Sequence, residues 1–232
     1  MSKKNYKVEV MNDSKEECEL NFKLIIIGDS GVGKSSLVSR AIANKFGTDY
    51  SPTIGFEFYT FYIKIEDTNI KLQIWDTCGQ EVYRSLIKSF YRNSSLAILV
   101  YAINEENSFK DLNIWLNEIR TEGNPDVNIF LLGNKVDLVE CRAIDKDQVE
   151  NFMKANNVKF FLETSAKTGF NAENVFIEAG KLLYEQHQEC NKISINKGDT
   201  KEEEDNIKID SKNLKNKEED IMDETKRNKH CC

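Results

Sequence analysis

Short apolar runs rich in β-branched and aromatic residues alternate along the chain with longer amphipathic stretches. The amphipathic stretches, such as Ser108–Arg120 and Ala172–Gln186, place apolar residues at helical spacing and predict helices. The apolar runs are short, so each predicts one buried strand. The six predicted strands are Phe22–Ile27, Phe56–Ile65, Ile70–Trp75, Leu96–Ala102, Asn128–Leu132 and Lys159–Leu162.

The segments between these runs predict how the strands pair. Only the turn-forming residues Glu66–Asn69 separate the second run from the third, which predicts an antiparallel hairpin. Helical stretches separate the other runs, and such crossover connections favour parallel pairing. We therefore expect a three-layer α/β domain with a mostly parallel six-stranded sheet, one antiparallel edge strand and about five helices.

Composition changes sharply near Cys190. From Asn191 onwards the chain contains no aromatic residue, and Lys, Glu, Asp and Asn predominate. Because such a segment cannot bury enough apolar surface to offset its chain entropy, we expect residues 190–232 to form a disordered tail. A weaker form of the same argument makes residues 1–20 a flexible N-terminal extension. One compact domain is expected between them, over residues 21–189.

Composition and charge exclude several classes of protein. The formal net charge of −7 gives no overall basic field, so nucleic acid is not an expected partner. No apolar run reaches the ~18–20 residues of a membrane-spanning helix, and the polar start lacks the apolar core of a secretory signal. We expect a cytoplasmic protein with free thiols at its scattered cysteines. These single cysteines are Cys18, Cys78, Cys141 and Cys190.

The first chemical motif lies between the first predicted strand and a predicted helix. Residues 28–35 read GDSGVGKS, which fits the pattern G-x-x-x-x-G-K-[ST] of a phosphate-binding loop. In this pattern backbone N–H groups surround the phosphates, Lys34 contacts the β- and γ-phosphates, and the Ser35 hydroxyl ligates Mg²⁺. Chance produces such a match in roughly one chain in a hundred. The candidate phosphate-binding residues are Gly28, Asp29, Ser30, Gly31, Val32, Gly33, Lys34, Ser35 and Ser36.

A second motif, Asp76–Glu81, follows the strand that ends at Trp75. The Asp76 carboxylate can hold the hydration shell of Mg²⁺ near a phosphate loop. Gly79 lets a backbone N–H approach the γ-phosphate, and the Gln80 side chain can orient an attacking water. Taken alone the motif is typical of an ordinary turn, and its spacing from the phosphate loop is what makes it informative.

Two further motifs, Asn134–Asp137 and Glu163–Lys167, predict a guanine pocket. Asp137 has two acceptor oxygens that match the N1–H and amino donors of guanine and oppose the pattern of adenine. The backbone N–H of Ala166 can meet the base oxygen O6. All four motifs lie at carboxyl ends of predicted strands, where open α/β sheets bind ligands. The candidate base-binding residues are Asn134, Lys135, Asp137, Ser165, Ala166 and Lys167.

This ordered set resembles the Ras superfamily of small GTPases over about Phe22–Tyr184, and within it most resembles the Rab family. The segments that carry the Rab resemblance are Ile54–Phe58, Lys71–Trp75, Phe90–Asn93 and the terminal Cys231–Cys232. The resemblance implies a phosphate-loop nucleotide-binding fold, with GTP or GDP and Mg²⁺ at the site. It implies a GTP-hydrolysing switch that recruits effectors to intracellular membranes in vesicle trafficking. The implied partners are a nucleotide-exchange factor, a GTPase-activating protein, effector proteins and a prenyl-binding dissociation inhibitor.

The resemblance also implies roles for residues outside the four motifs. Thr53 ligates Mg²⁺ and contacts the γ-phosphate only in the GTP state, so loss of that phosphate releases two switch loops. Phe46 packs edge-on against guanine, and Tyr50 covers the phosphates. The implied catalytic residues are Gln80, Lys34, Thr53 and Gly79, and the implied metal ligands are Ser35, Thr53 and Asp76.

Surface and membrane contacts follow from the same resemblance. Phe58, Trp75 and Phe90 match the aromatic triad that Rab proteins present to effectors, and the alternative, above all for Trp75, is core packing. Cys231 and Cys232 are not a C-a-a-X box, and the resemblance implies that both carry geranylgeranyl groups. Two such chains anchor a protein stably, so we expect it at the cytosolic face of intracellular membranes.

Two rival functions are weighed against this one. A phosphate-loop kinase or ATPase would need a different base pocket and an arginine-bearing lid. A module that binds nucleotide without turnover is disfavoured by the presence of Gln80 and Thr53. Because the phosphate loop and the first switch contain no arginine, unaided hydrolysis should be slow, with a partner supplying the missing charge.

Three positions depart from the Rab pattern and leave the subfamily open. Cys78 stands where the family has alanine, Val82–Tyr83 replaces an arginine–aromatic pair, and Ala102 replaces an aspartate. Cys78 lies between Asp76 and Gly79. Its thiol is either a small space-filling group or an oxidisable group beside the γ-phosphate.

Overall fold

A single seven-stranded sheet forms the centre of the protein. The computed structural model describes residues 5–11, 17–47, 52–80, 87–158 and 160–198. The strand order across the sheet is β1-β3-β4-β2-β5-β6-β7. The strands are β1 (Val8–Met11), β2 (Leu20–Ile27), β3 (Phe56–Ile65), β4 (Thr68–Thr77), β5 (Leu96–Ala102), β6 (Asn128–Asn134) and β7 (Phe160–Glu163).

Helices cover both faces of the sheet. In the described part of the chain they are α1 (Lys34–Ala43), α2 (Glu106–Lys110), α3 (Leu112–Glu122), α4 (Lys146–Ala155) and α5 (Ala172–Gly198), with a 3₁₀ helix at Val136–Cys141. Residues of α1 and α5 share one apolar core with one face of the sheet, and residues of α3 and α4 share a second core with the other. The expected three-layer α/β architecture is therefore confirmed. None of these helices is long and apolar enough to cross a bilayer.

Parallel pairing brings the functional motifs to one edge of the sheet. β2 pairs in parallel with both β4 and β5, β5 with β6, and β6 with β7, whereas β3 runs antiparallel to its neighbours. The carboxyl ends of five parallel strands therefore meet along one edge. This edge is where open α/β sheets bind ligands.

Strand β1 corrects the expectation of a flexible extension over residues 1–20 for the part at Val8–Met11. Strand β1 pairs antiparallel with β3, with Val8 opposite Ile65 and Met11 opposite Tyr62. The sheet therefore has seven strands rather than six, and β3 lies one strand in from the edge. The cause is the alternation of apolar and polar residues from Tyr6 to Val10, which suits a half-buried strand and covers the otherwise unpaired edge of β3.

Two helical boundaries also differ from the sequence prediction. The predicted helix Ser108–Arg120 is two helices, because Asp111, at φ −74° and ψ −9°, separates α2 from α3.

The chain divides into units Met1–Glu189 and Cys190–Cys232, and α5 continues through Gly198. The expected tail from residue 190 therefore begins with helix. Extending an existing helix avoids the cost of nucleation, so polar composition does not end it.

Strand β1 should contribute to stability. Val8 and Val10 pack against the core shared with α5, so the double variant Val8→Ala/Val10→Ala should lose about 1.5 kcal/mol of unfolding free energy. Urea unfolding of the GDP-bound protein measures this loss. Glu9→Ala, on the exposed face of the same strand, is the matched control and should change stability by less than about 0.5 kcal/mol. Equal effects of the two variants would contradict the packing role of β1.

Candidate nucleotide-binding site

A cavity of about 380 Å³ lies at the carboxyl edge of the sheet and is lined by all four sequence motifs. The predicted residues that line it are Ser30, Gly31, Gly33, Lys34, Ser35, Ser36, Phe46, Thr53, Gly79, Asn134, Lys135, Asp137, Ala166 and Lys167. Six other predicted residues are not part of this lining, namely Gly28, Asp29, Val32, Asp76, Gln80 and Ser165. Tyr50, Cys231 and Cys232 lie outside the described residues.

Glycine is required at two positions of the loop that joins β2 to α1. A Cβ atom on Gly28, at φ +143°, would lie 2.2 Å from the carbonyl oxygen of Val100. A Cβ on Gly33, at φ +94°, would lie 2.5 Å from the Asn134 side-chain nitrogen. The loop therefore passes close to β5 and to the end of β6. Helix α1 begins next to it at Lys34, with its N-terminal N–H groups at the cavity.

The Lys34 side chain crosses the base of the loop. Its ammonium group donates to the carbonyl oxygens of Gly28 and Asp29 at 2.7 and 2.8 Å. Only 5% of the residue is exposed, and burial lowers the pKa of Lys34 to about 8, against the opposing effect of the Asp76 carboxylate. The phosphate loop therefore holds the ammonium group in place, and the same loop would bind the phosphates that this group contacts.

Three oxygen-bearing side chains converge beside Lys34. The hydroxyls of Ser35 and Thr53 lie 2.7 Å apart, so the first turn of α1 and the segment before β3 meet here. Asp76, at the end of β4, is fully buried, and neither carboxylate oxygen has a hydrogen-bond partner among the described residues. Burial raises the pKa of Asp76 to about 6, opposed by the nearby Ser35 hydroxyl and Lys34 ammonium. A buried carboxylate without a partner is costly unless a cation compensates it.

The segment after β4 lies against the phosphate loop. Gly79 lines the cavity, and the half-buried Gln80 donates its backbone N–H to the Cys78 sulfur at 3.4 Å. Cys78 is 2% exposed and belongs to the core shared with α3 and α4. Its burial favours the space-filling interpretation of this cysteine over the redox one.

Asn134 joins three parts of the site. Its side-chain nitrogen donates to the Val32 carbonyl at 2.8 Å, and its oxygen accepts from the Thr164 hydroxyl at 3.1 Å and the Ala166 backbone N–H at 3.3 Å. The residue is only 1% exposed. Asn134 therefore fixes the phosphate loop and the loop after β7 relative to β6.

Asp137 also lines the cavity. The Ser165 hydroxyl donates to one of its carboxylate oxygens at 2.5 Å, which orients the carboxylate. Lys135, in the left-handed conformation at φ +69°, reverses the chain between Asn134 and Asp137 so that all three face the site. The arrangement presents an acceptor group beside an apolar wall that includes Leu138.

Comparison with known proteins identifies the family. The model of the Ras family matches residues 23–185, which is most of the chain. The chain belongs to the Ras family. The Ras-related protein RABA1h of Arabidopsis thaliana is 42% identical over 171 residues, which cover 74% of this chain and 78% of that protein.

The protein is accordingly a Rab-type small GTPase, which binds guanine nucleotide and hydrolyses GTP. The family, the fold and the GTPase activity expected from the sequence are confirmed. A small-molecule kinase or ATPase, and a module that binds without turnover, are thereby excluded.

Arg40 is a residue of this Rab-type GTPase that the sequence analysis missed. From α1 its guanidinium group donates to the carbonyl oxygens of Ala166 and Lys167, both at 2.8 Å. The same group lies 5.9 Å from the centre of the Phe46 ring. Arg40 thus connects two walls of the base end of the cavity. It belongs to none of the four motifs, so only the folded chain reveals it.

The effector triad expected in the Rab-type GTPase forms part of a four-ring surface cluster. Phe58 is 47% exposed and its ring centre lies 5.2 Å from that of Trp75. Trp75 lies 5.0 Å from Phe90, and the additional ring of Phe56 lies 4.3 Å from Phe90. Trp75 and Phe90 are half-buried and also contact the core shared with α3. The cluster therefore combines core packing with an exposed aromatic surface.

Proposed function

We propose that this Rab-type GTPase recruits effector proteins to intracellular membranes in vesicle trafficking while it holds GTP, and releases them after hydrolysis. The observation that carries the proposal is the convergence of all four motifs on one cavity. Lys34, the first residues of α1 and Asp137 all line this cavity. An ammonium group beside backbone N–H donors suits phosphates, and a carboxylate acceptor suits a base that donates hydrogen bonds.

In this proposal the nucleotide binds through the two ends of the cavity. The phosphate loop, residues 28–36, holds the phosphates with backbone N–H groups and with Lys34. Asp137 accepts hydrogen bonds from guanine, and the loop of residues 165–167 closes over the base. Phe46 packs against the base, and Tyr50 covers the phosphates by family resemblance. Asn134 completes the base pocket and also positions its two loops, because one of its side-chain N–H groups donates to Val32 and its side-chain oxygen accepts from Thr164 and Ala166.

The residues beside Lys34 fit a magnesium ion. Mg²⁺ prefers oxygen ligands and binds nucleotide sites through few protein groups. Ser35 and Thr53 supply two hydroxyls, and Asp76 supplies a buried carboxylate that has no hydrogen-bond partner within the described ranges. When bound, the ion would neutralise phosphate charge and so favour departure of the γ-phosphate. We assign these three residues to hold it.

The chain's own groups then position the reaction. Lys34 compensates charge on the phosphates, Gly79 brings a backbone N–H towards the γ-phosphate, and Gln80 orients the attacking water. The phosphate loop and residues 44–58 contain no arginine, so a GTPase-activating protein would supply the missing positive charge. Loss of the γ-phosphate would remove a shared contact of Thr53 and Gly79. That loss links hydrolysis to the shape of the effector surface.

The regulators of this switch are proposed by family resemblance. A nucleotide-exchange factor would open the cavity, and effectors would bind the aromatic surface that includes Phe58, Trp75 and Phe90. This surface is exposed enough for contact, since 47% of Phe58 is accessible. A prenyl-binding dissociation inhibitor would extract the protein from membranes.

The membrane anchor is proposed at Cys231 and Cys232. Two geranylgeranyl chains would hold the protein on the cytosolic face, because each buried CH₂ contributes ~0.8 kcal/mol. Cys231→Ser/Cys232→Ser should therefore move most of the tagged protein from the membrane fraction to the cytosol. Cys190→Ser is the matched control and should leave the distribution unchanged. Retention of the double variant on membranes would contradict the lipid anchor.

The hydrolysis role is tested by replacing Gln80 with leucine. Because the amide orients water rather than nucleotide, Gln80→Leu should slow single-turnover GTP hydrolysis about tenfold or more. GDP affinity should change less than about threefold. Gln73→Leu on β4 makes the same substitution away from the cavity. An unchanged rate in Gln80→Leu, with and without an activating protein, would remove Gln80 from the mechanism.

A further inference from the structure

Trp115 connects the phosphate loop to the helical layer. It lies on α3 in a fully buried stripe. Its indole N–H donates to a carboxylate oxygen of Asp29 at 2.7 Å. Asp29 is the second residue of the phosphate loop, so one hydrogen bond fixes that loop to a helix from another part of the chain. The stripe is Leu112, Trp115, Leu116 and Ile119.

The Asp29 backbone contacts two elements of the proposed hydrolysis site. Its carbonyl oxygen accepts from the Lys34 ammonium group at 2.8 Å. The peptide between Asp29 and Ser30 lies against Gly79, since a Cβ on Gly79 would be 2.3 Å from the Asp29 carbonyl carbon. A shift of Asp29 would therefore move both the charge-bearing lysine and the segment that leads to Gln80.

The charge balance around Asp29 makes the indole donor important. Burial raises the pKa of Asp29, and the Trp115 hydrogen bond opposes that rise. The Asp111 carboxyl group at the start of α3 adds to the rise through its charge and through a side-chain hydrogen bond with Asp29. Lys34 opposes the rise more weakly. Without the indole N–H, the partly buried Asp29 carboxylate would lose the donor that opposes this rise and would keep its contact with Asp111, which is another carboxyl group. The loop would then relax away from this helix.

We propose that Trp115 is a positioning residue for GTP hydrolysis and acts through Asp29. The inference rests on the proposed function, which assigns residues 28–36 to the phosphates. Trp115 does not line the cavity and touches no nucleotide in this proposal. Its effect is to hold the peptide between Asp29 and Ser30 where Lys34 and Gly79 meet it.

Kinetics of three variants test the proposal. Trp115→Phe keeps an aromatic ring and removes the donor, and it should lower the single-turnover hydrolysis rate about tenfold, with a smaller loss of GDP affinity. Asp29→Ala removes the acceptor, and Asp29→Asn keeps one acceptor oxygen and should lose less activity. The double variant Trp115→Phe/Asp29→Ala should be no slower than Asp29→Ala alone. Ile119→Val trims the same buried stripe without touching the hydrogen bond and should hydrolyse GTP near the wild-type rate.

A spectroscopic signature separates positioning from folding. The chain has two tryptophans, so ¹⁵N-tryptophan labelling gives two indole signals for the folded protein. The Trp115 indole proton should lie downfield and move strongly in Asp29→Ala, whereas the Trp75 signal serves as the internal reference. In Asp29→Asn the Trp115 signal should move less. This comparison holds even if Trp115→Phe fails to fold.

Three results would overturn the proposal. The first is a folded Trp115→Phe variant that hydrolyses GTP at the wild-type rate. The second is a double variant whose loss of rate equals the product of the losses in Trp115→Phe and Asp29→Ala. The third is a Trp115 indole signal that does not shift in Asp29→Ala. Failure of the wild-type protein to bind guanine nucleotide would instead refute the proposed function. Normal binding and hydrolysis by the wild type, with any of the three results, refutes the positioning role alone.

Discussion

Replacing Asp137 with asparagine should weaken GTP binding by about 100-fold or more and turn the preference of the site towards xanthine nucleotide. The carboxylate offers two acceptors to the N1–H and amino donors of guanine. An asparagine offers one acceptor and a donor, which faces a guanine donor and leaves it unpaired. Sites built to hydrogen-bond a ligand reject poor matches by factors of this size. Xanthine carries a carbonyl where guanine has its amino group, so it accepts the new donor.

Competition binding with GDP and xanthosine diphosphate measures this exchange of preference. Asp126→Asn, in an exposed loop before β6, makes the same change outside the cavity and should leave both affinities unchanged. Because Ser165 donates to Asp137, a weaker secondary effect is expected from Ser165→Ala, which frees the carboxylate to turn. Retained guanine selectivity in Asp137→Asn would mean that the base binds elsewhere in the cavity.

The sequence predicts the centre of this fold well because its signals are local. Buried parallel strands such as Leu96–Ala102 are continuous apolar runs, and all seven residues of β5 are indeed buried. The phosphate loop needs glycine at fixed positions for steric reasons, so a sequence motif is enough to identify it. The common edge of the parallel strands then brings the motifs together without any further information.

Residues that act through packing leave no such pattern. Arg40 reaches the loop of residues 165–167 across 126 positions of sequence, and Trp115 reaches Asp29 across 86. An arginine or a tryptophan at helical spacing reads as an ordinary surface or core residue. Their function depends on which helix the sheet order places beside which loop, and that is a property of the folded chain.

Strand β1 was missed for a different reason. Composition averages over the N-terminal segment and indicates a polar extension, whereas strand formation depends on the order of residues within it. Alternation from Tyr6 to Val10 provides the signal, and the unpaired edge of β3 provides the partner. Tyr6 adds an edge-to-face contact with Tyr184 of α5, at 5.5 Å between ring centres. Predicting β1 therefore requires both the local alternation of residues and the unpaired edge of β3, which is distant in sequence.

Replacing Gly79 with alanine should lower the single-turnover rate of GTP hydrolysis about 100-fold. The new Cβ would lie 2.3 Å from the Asp29 carbonyl carbon, 2.4 Å from the Ser30 nitrogen and 2.5 Å from the Asp29 oxygen. All three are backbone atoms, so no side chain can turn aside to make room. Either the phosphate loop or the segment leading to Gln80 must move, and both positions matter for in-line attack.

Substitutions at two other glycines of the cavity distinguish this steric effect from backbone strain. A Cβ on Gly47 meets nothing within 4 Å, so Gly47→Ala should cost far less activity than Gly79→Ala. A Cβ on Gly31 also meets nothing within 4 Å, but Gly31 is at φ +81°, so its substitution strains only the backbone. Hydrolysis rates and urea unfolding of the three variants distinguish the cases. If Gly79→Ala hydrolyses GTP as fast as Gly47→Ala, contact between Gly79 and the phosphate loop does not control the reaction.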